Sequence, residues 1–372
     1  MPDVFGVAEL LVNHAVEKHG VDIDLIAYYG SQARGDARPE SDLDLFYTPA
    51  GGKHPPIART FLLDGLLFDF WELTWETLDG FATGDIRGWA FAPALVRQAT
   101  PLYVRTPEQA NRLARLQERS RELENDEHRS SMRERAQDSF VRVVECLGRL
   151  RVAAHGPRMD VVHAGWQLIH AVWECLALAN QVTFERGFSK ALEECDRFAH
   201  RPENLPDLVR AISTSSDVGS ALEAADELTL ATHHIIQDLA PIRPANLSIQ
   251  KAFDQAYPEL RDNLRKLLTA CEEGDHESAS LEAYHLQREV ASIMSQTQEG
   301  RARKGFSLYH EYSTAYRDAG FPDLMTLASG SLDDLADAAR RLDQGLRNWL
   351  VGQDVALCEV ATIEELRSIL ET

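Results

Sequence analysis

A short polar motif directly after an apolar run constrains the fold of this chain more than any other feature. The run Leu25 to Tyr29 is apolar and β-prone, and it ends at Gly30-Ser31. A glycine lets the backbone approach a phosphate group closely, and the serine adds a hydroxyl donor. The motif therefore predicts a buried strand that ends in a phosphate-binding turn.

Two carboxylates follow this turn, with a single apolar residue between them. Asp42 and Asp44 flank Leu43, so the period-two alternation of a strand places both carboxylates on one face and the leucine in the core. Carboxylate oxygens are suitable ligands for Mg²⁺. The spacing predicts a metal site beside the phosphate-binding turn.

A third carboxylate lies in the second arm of a predicted hairpin. Two apolar runs flank Asp64-Gly65, a dipeptide that strongly favours a tight turn between two strands. Asp69 is the one charged residue embedded in the second run. An ionised carboxylate in an apolar strand is costly unless it is paired or bound to a metal. We therefore predict that Asp69 is a metal ligand together with Asp42 and Asp44.

Each aspartate also has a purely structural interpretation. Asp42 could cap a helix, Asp44 could be a solvated strand residue, and Asp69 could be a core acid in a salt bridge. The metal-site hypothesis is favoured because it explains all three positions at once.

The combined pattern resembles the nucleotidyltransferase superfamily, the DNA polymerase β-like group. From Gly30 to Asp44 the sequence has the form Gly-Ser-x-x-Arg-Gly followed by Ser-Asp-x-Asp, and a lone acid follows on a later strand. This form is similar to that of the kanamycin-type antibiotic nucleotidyltransferases and their minimal relatives. The resemblance is confined to the N-terminal part of the chain, 1–105.

The resemblance implies an enzyme that moves a nucleoside monophosphate, AMP from ATP or the equivalent from another nucleoside triphosphate, to a small molecule. The acceptor would be a hydroxyl or similar group, and pyrophosphate would be released. Two Mg²⁺ ions would be held by the three aspartates, which thereby become catalytic. Gly30, Ser31 and Arg34 would bind the nucleotide. The alternative is a protein-directed AMP transferase or an antitoxin-like protein that binds a partner.

Strand and helix patterns predict an α+β fold with three domains. A small mixed-sheet catalytic domain, 1–105, has helices on one side of its sheet. It is followed by a helical bundle domain, 106–240, and by a second helical domain, 241–372, with a short C-terminal strand and helix. Prolines predict an interdomain linker at Pro241 to Asn246.

A polar stripe on an otherwise apolar helix indicates where a general base could come from. His163, Gln167, His170 and Glu174 lie at i, i+4, i+7 and i+11, on one helical face. In the kanamycin-type enzymes a glutamate of the helical domain acts as base, so the resemblance implies that role for Glu174, with Glu145 as the alternative. The stripe could equally be the solvent side of an amphipathic helix.

Lys190 follows a glycine-containing turn after this helix. We predict that its ammonium group contacts nucleotide phosphates, where a lysine serves well as a point charge. The alternative is an ordinary surface position in the first turn of the next helix.

Composition limits the partners of the protein. The net charge of −21 makes nucleic acid an improbable ligand, because binding to a phosphate backbone requires a basic surface. No apolar stretch has the length of a membrane span, and five scattered cysteines fit a reducing compartment. We expect a cytoplasmic protein whose partners are a nucleoside triphosphate and a small-molecule acceptor. A homodimer is left open.

Overall fold

The computed structural model describes residues 3–38, 41–241, 248–299, 306–355, 357, 362, 363 and 367. The chain forms two compact units, Met1–Ala240 and Pro241–Thr372. Most of the predicted interdomain linker lies outside the described residues, and so do most of the predicted C-terminal strand and helix. The separation of 1–105 from 106–240 as two domains stays a prediction.

The first unit contains a five-stranded mixed sheet. Its strands, in chain order, are β1 Ile23–Tyr29, β2 Leu43–Pro49, β3 Arg59–Leu63, β4 Leu66–Glu72 and β5 Thr100–Val104. Their order across the sheet is β3-β4-β2-β1-β5. β2 and β4 run parallel, and the other neighbouring pairs are antiparallel. The sheet and the helices around it confirm the predicted α+β class.

The predicted hairpin is also present, between β3 and β4. Its turn residues Asp64 and Gly65 have φ of 51° and 83°, the left-handed conformation that a tight two-residue hairpin turn requires.

Helices cover both faces of the sheet, so the expectation of helices on one side was wrong. Helix α1, Val4–His19, packs on the face that carries Leu43, Leu45 and Phe68. The opposite face carries Leu25, Ala27 and Phe46 and is covered by the helices that follow β4: α3 Trp75–Thr83, α4 Ala92–Gln98 and α5 Pro107–Glu122. Alternate residues of β1 and β2 are apolar on both sides, so both faces have to be buried.

The remainder of the first unit is helical. After the short helix α2, Ser31–Arg34, and the helices named above come α6 Arg129–Ala153, α7 Arg158–Asn180, α8 Ala191–Glu194, α9 Leu205–Thr214 and α10 Val218–Asp238. α6 and α7 pack against each other along their length, and α10 packs on both. Buried residues recur at helical spacing on α7, for example Leu168, Val172 and Cys175, as expected for a helix that is surrounded by others.

The second unit is built from helices around a core of its own. Its described helices are α11 Ile249–Glu273, α12 His276–Met294, α13 Tyr309–Tyr312, α14 Thr314–Asp318, α15 Leu324–Leu327 and α16 Leu332–Gly352. The core consists of residues from these helices and their connections, with Phe253, Leu286 and Leu342 buried at its centre. Within the described parts of both units, no helix combines the length and the apolar character needed to span a bilayer.

Candidate functional site

Strand pairing places four polar side chains in one row across the sheet. Asp44 of β2 pairs with Tyr29 of β1 and with Asp69 of β4, and Asp69 in turn pairs with Thr60 of β3. Directly paired residues project from the same face of a sheet. We call Tyr29, Asp44, Asp69 and Thr60 the polar row.

Both ends of the polar row are held by hydrogen bonds. The Thr60 hydroxyl donates to Asp69 Oδ1 at 2.6 Å. Trp71 Nε1 donates to the Tyr29 hydroxyl at 3.1 Å. One oxygen of Asp69 is therefore engaged on the side of β3, away from Asp44.

Gly30 lies directly against Asp44. Its φ of 80° and ψ of −152° belong to a region that is essentially restricted to glycine. A Cβ atom at this position would lie 2.8 Å from Asp44 Oδ2. The motif glycine is thus needed both for the turn itself and for the placement of the carboxylate.

The three aspartates repel one another electrostatically. The pKa of Asp44 is raised from 3.8 to about 6, first by burial and then by the negative charges of Asp42 and Asp69, with Arg34 opposing the rise. Mutual repulsion of this kind favours a proton or a bound cation between the carboxylates.

A cavity of about 600 Å³ opens beside these residues, and we call it the carboxylate cavity. Five residues predicted to bind metal or nucleotide line it: Gly30, Ser31, Arg34, Asp42 and Asp44. Its described lining includes neither Asp69, one strand further along the sheet, nor Glu174 or Lys190. Pro39 and Glu40, between the two halves of the motif, lie outside the described residues.

Arg34 connects the sheet side of this cavity to the helical side. Its guanidinium donates to Gln98 Oε1 at 3.0 Å and to the Glu185 carbonyl at 2.8 Å, and it forms an ion pair with Asp36. Part of its charge is already compensated by these contacts. Its position nevertheless leaves it on the lining of the carboxylate cavity.

Two loops form the helical side, and each is held by one glutamate, the half-buried Glu174 or the buried Glu194. Glu174 accepts hydrogen bonds from the Trp89 and Ala90 amides at 2.7 and 2.8 Å. Glu194 accepts from the Glu185 and Arg186 amides, both at 2.7 Å. We call Glu174 and Glu194 the two clamps, of the 84–91 loop and of the 181–187 loop.

The clamp contacts bear on the predicted role of Glu174. Burial raises its pKa, and the two backbone hydrogen bonds oppose that rise. A raised pKa suits a general base, but both oxygens are engaged by the 84–91 loop, which suits a positioning role. The base assignment therefore stays a prediction, and the alternative Glu145 forms ion pairs with Arg142 and Arg149 on the exposed side of α6.

The polar stripe faces a second cavity of about 650 Å³, which we call the adjoining cavity. Gln167, His170 and Glu174 line it, whereas His163 lies one turn away and hydrogen-bonds Gln167 at 3.1 Å. Lys190 lies at the end of a short 3-10 turn and forms an ion pair with Glu193.

Within the described residues, no three His, Cys, Asp or Glu side chains are grouped closely enough to hold a metal ion.

Sequence reasoning missed Arg87, Phe91, Phe188 and the clamp Glu194. Arg87, Phe91 and Phe188 line both cavities. These residues carry no local periodic signal, since their roles depend on contacts between segments that are far apart in the chain. The positive φ of Arg87 and Gly88, 61° and 82°, is seen only in the structure.

No protein-family model matches this sequence, and the comparison with curated proteins gives no match. Among solved structures, the chain is similar to a nucleotidyltransferase-like protein from Exiguobacterium sibiricum 255-15. The two share 12% identity and a TM-score of 0.37, over 68% of this chain and 80% of that one. A similarity this distant assigns no activity, substrate or metal to this chain.

Proposed function

We propose that this protein is a Mg²⁺-dependent nucleotidyltransferase that moves AMP from ATP to a hydroxyl group of a small molecule. The main support is the junction of β1 and β2, where Gly30, Ser31, Asp42 and Asp44 line one cavity. The chemistry of this lining combines a close backbone approach, a hydroxyl donor and mutually repelling carboxylates.

The donor set fits a hard divalent cation. Carboxylate oxygens are the ligands that Mg²⁺ prefers, and the pKa of Asp44 is raised by burial and in part by the negative charges of Asp42 and Asp69. In this proposal Asp42, Asp44 and Asp69 hold two Mg²⁺ ions. Asp69 would exchange its hydrogen bond with Thr60 for the ion. When bound, the ions neutralise charge on the phosphates and on the departing pyrophosphate.

The protein's own residues would bind and orient the nucleotide. The Gly30 turn permits close approach of the backbone, Ser31 offers a hydroxyl donor, and Arg34 faces the same cavity with its guanidinium. Lys190 is retained as a proposed phosphate contact, although it would have to exchange Glu193 for the phosphate.

The proposed reaction forms one bond and breaks one. The acceptor oxygen attacks the α-phosphorus of ATP, the bond from that phosphorus to the bridging oxygen breaks, and pyrophosphate leaves. The hydroxyl proton passes to a base, for which Glu174 remains the candidate and Glu145 the alternative.

The experiment is a binding and turnover assay on the full chain. ATP with Mg²⁺ should raise the melting temperature, because a ligand that binds the native state stabilises it, and EDTA should remove most of the gain. Pyrophosphate release should be stimulated by fractions of a metabolite pool that contain the acceptor. An identical thermal shift with and without metal, or no pyrophosphate release with any fraction, would contradict the proposal. Labelling of protein instead of small molecules would favour the protein-directed alternative.

A further inference from the structure

We propose that the adjoining cavity binds the acceptor, and that this acceptor carries a planar ring together with an anionic group such as a carboxylate. The inference rests on the proposed function and specifies its missing substrate class. Three observations support it: the adjoining cavity borders the carboxylate cavity, an arginine lies at that boundary, and aromatic rings line the cavity.

The two cavities meet at a shared boundary. Arg87, Phe91 and Phe188 line both, so a molecule in the adjoining cavity lies next to one in the carboxylate cavity. A volume of about 650 Å³ is within the range of small-molecule sites, roughly 300 to 1,000 Å³. A reacting hydroxyl group could reach the nucleotide past this boundary.

Arg87 supplies the positive charge at the boundary. Its guanidinium lies 5.6 Å from the Trp71 ring centroid and 5.5 Å from that of Phe81. Within the described part of the chain it has no acidic partner at ion-pair distance. Arg142, by contrast, pairs with Glu145 at 2.7 Å. In a chain with a net charge of −21, an arginine without an acidic partner at a cavity boundary is available for an anionic ligand.

The backbone around Arg87 is fixed in an unusual conformation. Arg87 itself has φ of 61°, which costs free energy for a residue other than glycine. A Cβ atom at Gly88 would lie 2.7 Å from Glu174 Oε2, so the clamp packs directly against the loop. The loop thereby holds the guanidinium at the boundary in advance of binding.

Three rings provide a surface for a planar ligand. The Phe91 and Phe188 centroids are 4.0 Å apart, and His170 stacks on Phe188 at 4.7 Å with an interplanar angle of 28°. Phe188 is 56% exposed, although a large apolar side chain is normally covered. Offset stacking on such rings is favourable for a planar group.

The proposed anchors for the two substrates differ in which cavities they line. Gly30, Ser31 and Arg34 line the carboxylate cavity and are absent from the described lining of the adjoining cavity. Arg87 lines both cavities. This difference assigns Gly30, Ser31 and Arg34 to the nucleotide and Arg87 to the acceptor.

The test uses three matched probes and calorimetric titration of the full chain without nucleotide. The probes are 4-hydroxybenzoate, its neutral analogue 4-hydroxybenzamide and the cationic tyramine. We expect 4-hydroxybenzoate to bind at least about 10-fold more tightly than the amide, because a charge-assisted hydrogen bond is roughly twice as strong as one to a neutral acceptor. Tyramine should bind most weakly.

Variants identify the residue responsible. Arg87→Asn should abolish the preference for the carboxylate, and asparagine tolerates the positive φ at this position. Arg87→Lys should retain part of the preference. The matched control is Arg112→Gln, which removes an arginine that lies 4.5 Å from the Trp75 ring but lines neither cavity. The control should bind all three probes as the unaltered chain does.

Several results would overturn the inference. These are equal binding of carboxylate and amide, tighter binding of tyramine, or no binding of any probe up to about 5 mM, where a Kd of about 1 mM would be detected. Weaker ATP binding by Arg87→Asn with unchanged 4-hydroxybenzoate binding would assign the arginine to the nucleotide. If ATP and Mg²⁺ fail to bind while 4-hydroxybenzoate binds through Arg87, the transfer reaction is wrong and the anion site stands.

Discussion

The two sides of the carboxylate cavity are held by different kinds of contact. On the sheet side, the polar row is set by backbone pairing of β1, β2, β4 and β3. On the helical side, the 84–91 and 181–187 loops have no strand or long helix, and the two clamps hold them. Arg34 and Gln98 connect the sides through the Glu185 carbonyl.

This difference between backbone pairing and side-chain anchoring predicts how substitutions on the two sides of the cavity will differ in effect. Backbone pairing fixes the register of every residue along a strand, so one altered side chain leaves the row in place. A loop that is anchored at a few separate points, as the 181–187 loop is by Glu194 and by Arg34 and Gln98, is expected to shift when one of those anchors is altered. We therefore expect substitutions on the sheet side to change the chemistry and substitutions of the clamps to change the geometry.

The largest effect is expected for Asp44→Asn. Transfer should fall by roughly three orders of magnitude or more, because a ligand to a catalytic metal contributes several kcal/mol to transition-state stabilisation. The fold should survive, since the backbone pairing of β2 is unchanged. Pyrophosphate release and thermal unfolding, measured together, check both statements.

Asp64→Asn is the matched control, because it removes an aspartate from the hairpin of the same sheet at an exposed turn. It should retain turnover. Turnover like that of the unaltered chain in Asp44→Asn and Asp42→Asn would contradict the metal site.

The second prediction compares glutamine variants of the two clamps, Glu174 and Glu194. Glu174→Gln places a donor where two amides already donate, so the exchange of the Trp89 and Ala90 amides should accelerate by about 10-fold or more. Glu194→Gln should do the same for Glu185 and Arg186. Native-state hydrogen exchange measures both.

The same two variants separate a base from a clamp. If Glu174 is the base, its glutamine variant alone loses roughly two to four orders of magnitude in rate, with ATP affinity nearly unchanged. Equal losses in both variants would mean that loop position matters and that no proton moves to Glu174. A normal rate for Glu174→Gln with a collapsed rate for Glu145→Gln would transfer the role to α6.

Gly30 and Gly187 test the steric requirement on each side. Their backbones are alike, with φ of 80° and 78° and ψ of −152° and −179°. A Cβ atom at Gly30 meets Asp44, whereas one at Gly187 meets nothing within 4 Å. Both alanine variants incur a backbone cost of about 1–3 kcal/mol, and Gly30→Ala should lose more.

Denaturant unfolding of the two variants gives the difference directly. Equal losses of unfolding free energy in the two variants would mean that Asp44 can move away from the added Cβ atom at little cost. That result would contradict a sheet side whose side chains are held rigidly. A larger loss of unfolding free energy for Gly187→Ala than for Gly30→Ala would mean that the helical side has the stricter steric requirement.

The smallest effect is the dependence of stability on pH. The pKa of Asp44 is raised in the folded state from 3.8 to about 6, so the folded chain holds this proton more tightly than the unfolded chain. The resulting stabilisation is complete below about pH 4 and is lost as the pH rises through about 6. At pH 8 and without metal, Asp44→Asn should be more stable than the unaltered chain by about 1–2 kcal/mol.

Unfolding free energies at pH 4, 6 and 8 provide the measurement. The advantage of Asp44→Asn should be smallest at pH 4 and grow towards pH 8. A constant difference across this range would mean that the Asp44 carboxylate is not destabilised by its surroundings.

The sequence could predict the sheet side because its signals are local. The apolar run before Gly30, the alternation around Leu43 and the Asp64-Gly65 turn each span a few residues, and the structure has the corresponding strands and turn. The helical side could not be predicted in this way. The contact from Trp89 to Glu174 spans 85 residues, and a glutamate on a helix reveals nothing in its own neighbourhood about the loop that it holds. For the same reason the polar stripe could indicate a helix face that lines a cavity without identifying the other residues of that lining.

The second unit has a consequence for how the chain unfolds. Its buried core is made of its own residues, from Phe253 to Val355. Each unit is large enough to melt as a cooperative segment. A calorimetric scan should therefore resolve two heat-absorption peaks, and a nucleotide analogue should move only the peak that belongs to Met1–Ala240. The protein would then carry its own internal reference, in which the unmoved peak distinguishes specific ligand binding from a general effect of the solution.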